Sequence, residues 1–87
     1  MTKVYSVKAS NQDTELLPPA SDRRGAVIYN NSNKYMYVKL GIDADQDDFS
    51  TILSPRSHWE IPPGHYGAVH AIWYLGATGD AKVSDIR

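Results

Sequence analysis

Apolar and polar residues alternate one by one along several short segments of this chain, and a period of two fits a β-strand rather than a helix. The clearest case is KYMYVKL, residues 34–40, which predicts a strand with one aliphatic face and one partly solvated face. Its aliphatic face holds Met36, Val38 and Leu40, and its other face holds Tyr35, Tyr37 and Lys39. No segment keeps apolar residues three and four positions apart for the ten or more positions that a helix needs.

Five further segments are rich in β-branched and aromatic residues: GAVIYN, FSTILS, SHWEI, AVHAIWY and AKVSDI. Turn-forming stretches such as NSN and PPGHYG separate them at intervals of about eight to twelve residues. Short strands at this spacing predict an all-β fold, which we expect to be a small antiparallel β-sandwich or a jelly-roll-like barrel of about 6–7 strands.

Residues 1–24 have a different pattern. VYSVK would supply a seventh strand, but ASNQDTELLPPASDRR is polar and has too few apolar residues to pack by itself. A short helical turn near DTELL is compatible with this composition. We therefore expect an extended N-terminal arm over residues 1–24, followed by a β-sandwich domain over residues 25–87. The arm would make an assembly contact through Leu16, Leu17, Pro18 and Pro19.

The length and the lack of cysteine limit how the fold is stabilised. A chain of 87 residues makes one domain near the lower size limit of independent stability. Without cysteine it forms no disulfide, thiol nucleophile or iron–sulfur site. Association with further copies of the chain is the remaining source of stability, so we expect a homo-oligomer.

The charge pattern disfavours two classes of partner. A formal net charge of -1 with mixed signs provides no basic field for nucleic acid or an anionic membrane. No apolar run approaches the roughly 20 residues of a membrane span, and the first residues do not resemble a signal peptide. The sequence therefore predicts a soluble protein made in a cytoplasm, with neither nucleic acid nor membrane as its partner.

An aspartate-rich segment, GIDADQDDFS, suggests calcium because Asp43, Asp45 and Asp47 alternate like the first ligands of an EF-hand loop. The sixth position is Asp48 instead of glycine, and the twelfth is Ser54 instead of a bidentate glutamate. A solvated loop is the favoured interpretation, because like charges this close are tolerated best in water. A weak calcium site at the first three aspartates stays open as the alternative, and no other metal or cofactor is expected.

Catalytic patterns are weak. SHWE places Ser57, His58 and Glu60 together, but adjacent residues of a strand point to opposite faces, so the serine and the histidine are poorly placed to form a hydrogen-bonded pair. His58, His65 and His70 lack the close spacing of zinc ligands. We therefore expect a protein that is not an enzyme.

The chain has nine aromatic residues: two Trp, six Tyr and one Phe. In a small sandwich most large side chains fill the core or a subunit interface. Tyr35 and Tyr37 are the predicted interface residues, because an apolar ring with a polar tip suits a contact surface. Trp59 is kept as an interface residue or as a stacking platform for a sugar.

The order of features from Arg23 to Ile86 resembles a group of small β-sandwich proteins encoded among the structural genes of tailed bacteriophages. The resemblance is carried by RRGAVIYNNSNKYMYVKLG, then FSTILSPRSHWEIPPGHYGAVHAIW, then ATGDAKVSDI. It covers about three-quarters of the chain, a share large enough to include most of one small domain. The matching positions lie in hairpins and core strands, and residues 1–22 are outside it.

The resemblance implies a component of the virion. The expected function is a capsid decoration (cement) protein that binds the outside of the phage head and bridges and stabilises capsid subunits. A small head or tail accessory module fits the same pattern. The implied partners are the major capsid protein and further copies of the chain, as a trimer. The alternative function is a carbohydrate-binding or host-recognition module on a phage head or tail fibre.

Overall fold

The structure of the protein is a computed structural model that describes residues 2–87. These residues form eight β-strands and no helix, so no helix among them is long and apolar enough to cross a membrane. The strands are β1 (Thr2–Lys8), β2 (Thr14–Leu17), β3 (Gly25–Ser32), β4 (Met36–Leu40), β5 (Thr51–Leu53), β6 (His58–Glu60), β7 (Val69–Trp73) and β8 (Gly79–Ile86).

The strands form two four-stranded sheets that pack face to face. Sheet I has the order β1-β8-β3-β6, and sheet II has the order β2-β7-β4-β5. All strand pairs within them are antiparallel. This order, in which the chain passes repeatedly from one sheet to the other, is that of an eight-stranded jelly roll. The predicted all-β sandwich is thus confirmed, with eight strands instead of 6–7.

The core lies between the inner faces of the two sheets. The alternation predicted for β4 is confirmed, because Met36 and Val38 are fully buried while Tyr35 is exposed. Trp73, at 0% exposure, is the largest fully buried side chain. Sheet I contributes Ile28 and its neighbours from the opposite side. Fully burying one such aliphatic side chain stabilises the fold by roughly 1.5–3 kcal/mol.

The segment expected to be an N-terminal arm is part of both sheets. β1 pairs with β8 along its whole length, from Thr2 opposite Ile86 to Lys8 opposite Asp80. The stretch expected to form a helical turn near DTELL is strand β2, which pairs with β7. The sandwich therefore begins well before residue 25.

A bulge explains why apolar and polar residues do not alternate along β2. The register of β2 against β7 shifts between Glu15 and Leu17. Such a bulge allows two successive residues to face the same side of a sheet. Leu16 and Leu17 accordingly both point into the core, with exposures of 1% and 0%.

One end of the sandwich is closed by a buried arginine. The Arg23 guanidinium donates to Asp85 Oδ1 over 3.2 Å and to the Gly67 carbonyl over 3.1 Å, and it also donates to the Pro18 carbonyl. These partners belong to three different parts of the chain, so one side chain ties the loops before β3 and β7 to β8.

Candidate contact surface

The outer faces of the two sheets differ in chemistry. On sheet I, one row across the strands reads Ser6, Lys82, Tyr29 and His58. Lys82 Nζ donates to Ser6 Oγ over 2.7 Å and to Asp80 Oδ2 over 3.0 Å. The bonds of Lys82 to its two neighbours and the polar character of the row are those of an ordinary solvated surface.

Asp80 is the acidic centre of that network. Asn31 Nδ2 donates to Asp80 Oδ1 over 2.9 Å. This hydrogen bond, followed by the one from Lys82, holds the pKa of the Asp80 carboxyl below its usual value. The ionised carboxylate is therefore the form that the outer face of sheet I stabilises.

Sheet II carries an aromatic and aliphatic outer face. The strand register places Ile72, Tyr37 and Ile52 side by side in one row across β7, β4 and β5. One step further along the strands, the Tyr74 amide donates to the Tyr35 carbonyl over 3.0 Å. The Phe49 ring meets the Tyr37 ring edge-on, with centroids 5.2 Å apart and planes at 65°. The aromatic face, as we call this surface, consists of Tyr35, Tyr37, Phe49, Ile52, Ile72 and Tyr74.

Most of the aromatic face is open to solvent. Tyr35 is 54% exposed, Tyr74 49%, Ile52 44% and Phe49 39%. Single exposed apolar side chains are common on soluble proteins, but a contiguous group on one sheet marks a contact surface. Tyr37 lies at its centre and is half-buried by its neighbours, and Ile72 beside it is buried, at 9% exposure.

The aspartate-rich segment folds back over the remaining half of the same outer face. The Ala44 amide donates to Asp13 Oδ1 over 2.8 Å, and Ala44 is 5% exposed. Asp48 accepts from Lys39 Nζ over 2.5 Å, and Lys39 lies on the outer face of β4. Residues 41–48, the acidic connection, therefore stand on the outer face of sheet II at its Leu40 end.

The turn within the acidic connection has its own local bonds. Asp45 and Asp48 exchange two backbone hydrogen bonds of 3.0 Å each. Asp43 has a φ of 60°, a left-handed conformation that aspartate tolerates better than most residues. The exposed side chains of Asp43, Asp45 and Asp47 place negative charge beside the aromatic face.

A histidine lies beneath the acidic connection. His70 Nδ1 is 2.9 Å from Asp13 Oδ2, and His70 Nε2 is 3.8 Å from Glu15 Oε2. Asp13 thus joins the start of β2 to both β7 and the acidic connection. Within residues 2–87, no three His, Asp or Glu side chains are grouped so as to hold a metal ion. The calcium alternative at Asp43, Asp45 and Asp47 gains no support from this geometry.

The structure places the predicted interface residues in three different environments. Tyr35 and Tyr37 come together on the aromatic face. Leu16 and Leu17 are core residues, because the bulge in β2 turns both of them inward, and they are unavailable for an outside contact. Pro18 and Pro19 are exposed directly after β2.

Trp59 is placed differently from the predicted sugar platform. It lies opposite Ile28 on β3 and therefore faces the inside of the sandwich, where it is half-buried against the core. Trp59 is less exposed than Tyr35 and Tyr74. Trp59 therefore contributes to packing at the edge of sheet I.

Three members of the aromatic face, Ile52, Ile72 and Tyr74, are not identified individually by the sequence, and Phe49 is suggested there only as part of a sugar platform. Ile72 and Tyr74 flank Trp73, and alternation alone places them opposite to that core residue. Ile52 joins them only through the register of β4 with both neighbouring strands. The alternation gives the face of each strand, but the long-range pairing decides which residues meet.

The candidate catalytic residues do not form a working group. Ser57 Oγ donates to the Ser54 carbonyl over 2.6 Å, within the turn between β5 and β6. His58 pairs with Tyr29 on the outer face of sheet I. The serine is thus engaged in turn formation, whereas a nucleophile would need its base within hydrogen-bonding reach.

The residues of the aromatic face line none of the three clefts, of about 270, 580 and 400 Å³, described on the surface. Small-molecule sites are concave, whereas protein partners bind broad and flat surfaces. The chain matches no protein-family model, no curated protein and no solved structure. Its function is therefore inferred from this surface and from the fold.

Proposed function

We propose that this chain is a non-enzymatic structural protein of a tailed bacteriophage, most specifically a capsid decoration (cement) protein. It is made in the host cytoplasm and binds the outer surface of the phage head, where it bridges neighbouring subunits of the major capsid protein. The observation that carries the proposal is the exposed aromatic face on a small sandwich. A surface of this kind serves binding to other proteins.

The fold and the sequence resemblance support the same function. Eight-stranded jelly rolls are used repeatedly by proteins of virus capsids, which is an analogy at the level of the fold. The resemblance to small virion proteins of tailed phages lies in strands β3 to β8, all of which belong to the sandwich. The acidic connection beside the aromatic face adds negative charge that suits basic residues on a neighbouring protein.

Stabilisation of the capsid by bound copies of this protein follows from mass action. A protein that binds the assembled lattice but not the separated subunits stabilises the assembled state by RT ln(1 + [L]/Kd) for each site. At a free concentration of 100 times Kd, each site contributes about 2.7 kcal/mol. Many such sites on one shell resist the internal pressure of packaged DNA.

A carbohydrate-binding or host-recognition module is the second candidate function. The specific observation in its favour is the pair of neighbouring exposed rings, Tyr35 and Tyr74, close to the carboxylates of the acidic connection. Exposed aromatic rings stack on sugars, and jelly rolls also occur among lectins. The first candidate is favoured because the aromatic face lines none of the three clefts, whereas a small-molecule site is concave.

The test is saturable binding to phage heads that lack this protein. Labelled protein is titrated onto such heads, bound copies are counted, and the temperature at which the heads release DNA is measured. Binding that saturates and raises this temperature is the expected result. Heads already carrying the unlabelled protein are the control, and they should bind little label. Absence of saturable binding, together with glycan binding that is lost in Tyr35→Ala and Tyr74→Ala, would replace the first function by the second.

A further inference from the structure

We infer that the open edge of β1 binds an extended acidic segment of a partner protein, which adds to sheet I as a fifth, antiparallel strand. The order of the extended sheet is then partner strand, β1, β8, β3 and β6. This site is separate from the aromatic face, which belongs to sheet II, so the inference goes beyond the proposed function. It can be tested on the purified protein alone.

β1 differs from the other edge strands in length and regularity. The two sheets end at β1, β6, β2 and β5. β5 and β6 have three residues each, and β2 has four residues and a bulge. Short strands and bulges are common protections of a sheet edge against further pairing. β1 has seven residues and pairs with β8 without a bulge, so it is the edge strand that can receive another strand along its length.

The backbone of β1 directs hydrogen-bonding groups away from the sheet. The Ala9 amide donates to the Gly79 carbonyl over 3.0 Å, which continues the β1–β8 register by one pair. In an antiparallel ladder, alternate residues direct both N–H and C=O to the same neighbouring strand. The odd-numbered residues of β1 therefore bond to β8, whereas Val4, Ser6 and Lys8 direct their N–H and C=O groups to the open edge. All three residues are exposed.

A cleft lies at each end of β1, between the edges of the two sheets. The cleft of about 400 Å³ is lined by Lys3 of β1 and by Glu15 and Leu16 of β2. The cleft of about 580 Å³ is lined by Lys8 of β1 and by Thr14 of β2. Sites that bind an added strand combine a backbone ladder with pockets for its alternate side chains. The two clefts provide such space at both ends of the open edge.

The charges of β1 select an acidic occupant. Lys3 and Lys8 are its two charged residues, and neither forms a salt bridge with any of residues 2–87. The strand thus carries two unpaired positive charges, although the whole chain has a net charge of -1. Carboxylates on an added strand would pair with these lysines, one in each cleft.

The carboxylates near the smaller of these two clefts are already engaged. Asp85 lines this cleft, but its oxygens are bonded to Arg23 and Arg87. Glu15 Oε2 is 3.8 Å from His70 Nε2, which directs this carboxylate toward the other strand of sheet II. The lysines therefore remain the unpaired charges along the edge of β1.

A second copy of β1 is the competing occupant, and its composition argues against it. Two paired copies would bring four lysines and no carboxylate into one ladder. Lysine on an edge strand opposes pairing of this kind. Lys3 and Lys8 are five positions apart, which corresponds to roughly 17 Å along a strand. The expected occupant has two acidic residues at the same spacing.

The probe is the capped peptide Thr-Glu-Val-Thr-Val-Thr-Glu-Thr, here named the glutamate peptide. In antiparallel pairing its two glutamates lie opposite Lys3 and Lys8. The peptide is titrated onto the isotope-labelled protein, and binding is followed by NMR. A peptide with lysine in place of both glutamates, the lysine peptide, is the matched control and should bind at least tenfold more weakly.

Amide hydrogen exchange shows whether the peptide adds as a strand. At saturation, the amides of Val4 and Ser6 should exchange roughly tenfold more slowly or less, because they gain a hydrogen-bond partner. The amides of Tyr5 and Val7 already point to β8 and should change little. This alternation distinguishes strand addition from an electrostatic contact with the lysine side chains.

Backbone methylation of the peptide tests the same point without altering the protein. The two middle threonines direct their amides to β1, opposite Ser6 and Val4, whereas the two valines direct theirs away. N-methylation of the threonines should raise Kd at least tenfold, because it removes two hydrogen bonds at the interface. N-methylation of the valines should change Kd by no more than about threefold.

Ser6→Pro removes one donor from the open edge of the protein. The bonds to β8 remain, because proline is tolerated on an edge strand where the N–H faces solvent. This variant should raise Kd roughly tenfold. Ser6→Ala keeps the amide and loses only the hydroxyl, which is bonded to Lys82 on the outer face, so its Kd should stay within about twofold. Thermal unfolding of both variants checks that they are folded.

Reversal of the charges tests the selection of an acidic partner. Lys3→Glu/Lys8→Glu should lose affinity for the glutamate peptide and gain affinity for the lysine peptide. Four results would overturn the inference: no binding of the glutamate peptide at about 1 mM, equal binding of the lysine peptide, equal effects of the two N-methylations, or unchanged exchange at Val4 and Ser6. Slow exchange at these two amides without peptide, in a protein that sediments as a dimer, would assign the edge to a second copy instead.

Discussion

Arg23 and Asp85 are 62 positions apart in the sequence, yet they form an ion pair inside the protein, with Nε 3.2 Å from Oδ1. Arg23 is 4% exposed and Asp85 2%, and within residues 2–87 they are the two charged side chains among the buried residues. The carboxylate is also bonded through Oδ2 to the Arg87 guanidinium, with distances of 3.2 and 3.0 Å. Asp85 is thereby held between two arginines at the end of β8.

Arg23→Met should destabilise the protein by about 2–4 kcal/mol, because removing one partner leaves a buried charge with less compensation. The expected loss lies below the largest values for buried pairs, since Arg87 still contacts Asp85. The free energy of unfolding is measured in urea. Arg24→Met, at the exposed neighbouring position, is the matched control and should change stability by no more than about 0.5 kcal/mol. Equal effects of the two variants would contradict the role given to Arg23.

The Tyr5 hydroxyl should make the free energy of unfolding depend on pH in the alkaline range. Burial, followed by the Asp85 carboxylate, raises the pKa of the Tyr5 hydroxyl above 10.0. The folded state therefore holds this proton more tightly than the unfolded state does. The resulting stability is complete below pH 10.0 and is lost as the pH rises through the folded pKa. Tyr5→Phe should lower stability at pH 7 by about 1 kcal/mol through the lost bond to Leu16, and it should flatten the alkaline limb.

The measurement for Tyr5 is the free energy of unfolding between neutral pH and the alkaline limit of reversible folding. Tyr29→Phe is the control, because Tyr29 lies on the solvated outer face of sheet I. An alkaline limb that keeps its slope in Tyr5→Phe would show that another group determines it.

Two asparagines of one hairpin should respond very differently to the same substitution. Asn30 is fully buried, and its Nδ2 donates to the carbonyls of Lys34 and Leu53 over 2.9 Å each. Asn30→Asp replaces that donor by an acceptor facing two carbonyls, so we expect a loss of roughly 3 kcal/mol or more. Asn33 uses its Oδ1 to accept from the Thr78 amide over 2.7 Å, and Asn33→Asp keeps this acceptor. The stability of the Asn33→Asp variant in urea should stay close to that of the wild-type protein. Similar losses of stability in both variants would contradict the hydrogen-bonding roles given to Asn30 and Asn33.

Alanine substitutions at two glycines should distinguish the energetic cost of backbone strain from that of a steric clash. Gly64 has a φ of 89°, and a Cβ added there would have no neighbour within 4 Å, whereas Gly79 has a φ of 104° and its added Cβ would lie 2.3 Å from the Asn31 carbonyl oxygen. Gly64→Ala should therefore cost only the strain of a left-handed residue, about 1–2 kcal/mol. Gly79→Ala adds a steric clash within the β3–β8 pairing and should cost more. Comparable melting temperatures for the two variants would show that the pairing at Gly79 relaxes easily.

Calcium should leave the melting temperature nearly unchanged. A site with a Kd of about 10 µM would add roughly 2.7 kcal/mol of stability at 1 mM free calcium. In a domain of this size, that stabilisation would raise the melting temperature by about 10 °C or more. Scanning calorimetry with calcium, with magnesium at equal ionic strength and with a chelator distinguishes the cases. A calcium-specific rise that disappears in Asp45→Asn would revive the calcium alternative for the acidic connection.

Alternation was sufficient to locate the strands from β3 to β8, because each of them has one face in the core and the other in solvent. β2 shows no alternation, since its bulge turns Leu16 and Leu17 to the same side. The sequence consequently suggested an arm where the structure has two strands. Burial of β2 depends on pairing with residues more than 50 positions away, which no local pattern reports.

The contact surface was predictable in part. Tyr35 and Tyr37 were identifiable because they alternate with core residues of one strand. Their neighbours Ile52 and Ile72 come from other strands, and only the register of three strands places them in one row. The Arg23–Asp85 pair gave no sequence signal at all, because charged residues near strand ends are usually solvated.

β8 lies between β1 and β3 in sheet I, although it is the last of the eight strands to be synthesised. On the ribosome, β1 and β3 therefore have no common neighbour until residues 79–86 have left the exit tunnel. Sheet I assembles only after translation has passed this strand, so the earlier strands must stay soluble without their partner. The many pairings between distant residues also make folding slow by comparison with a helical domain of the same length.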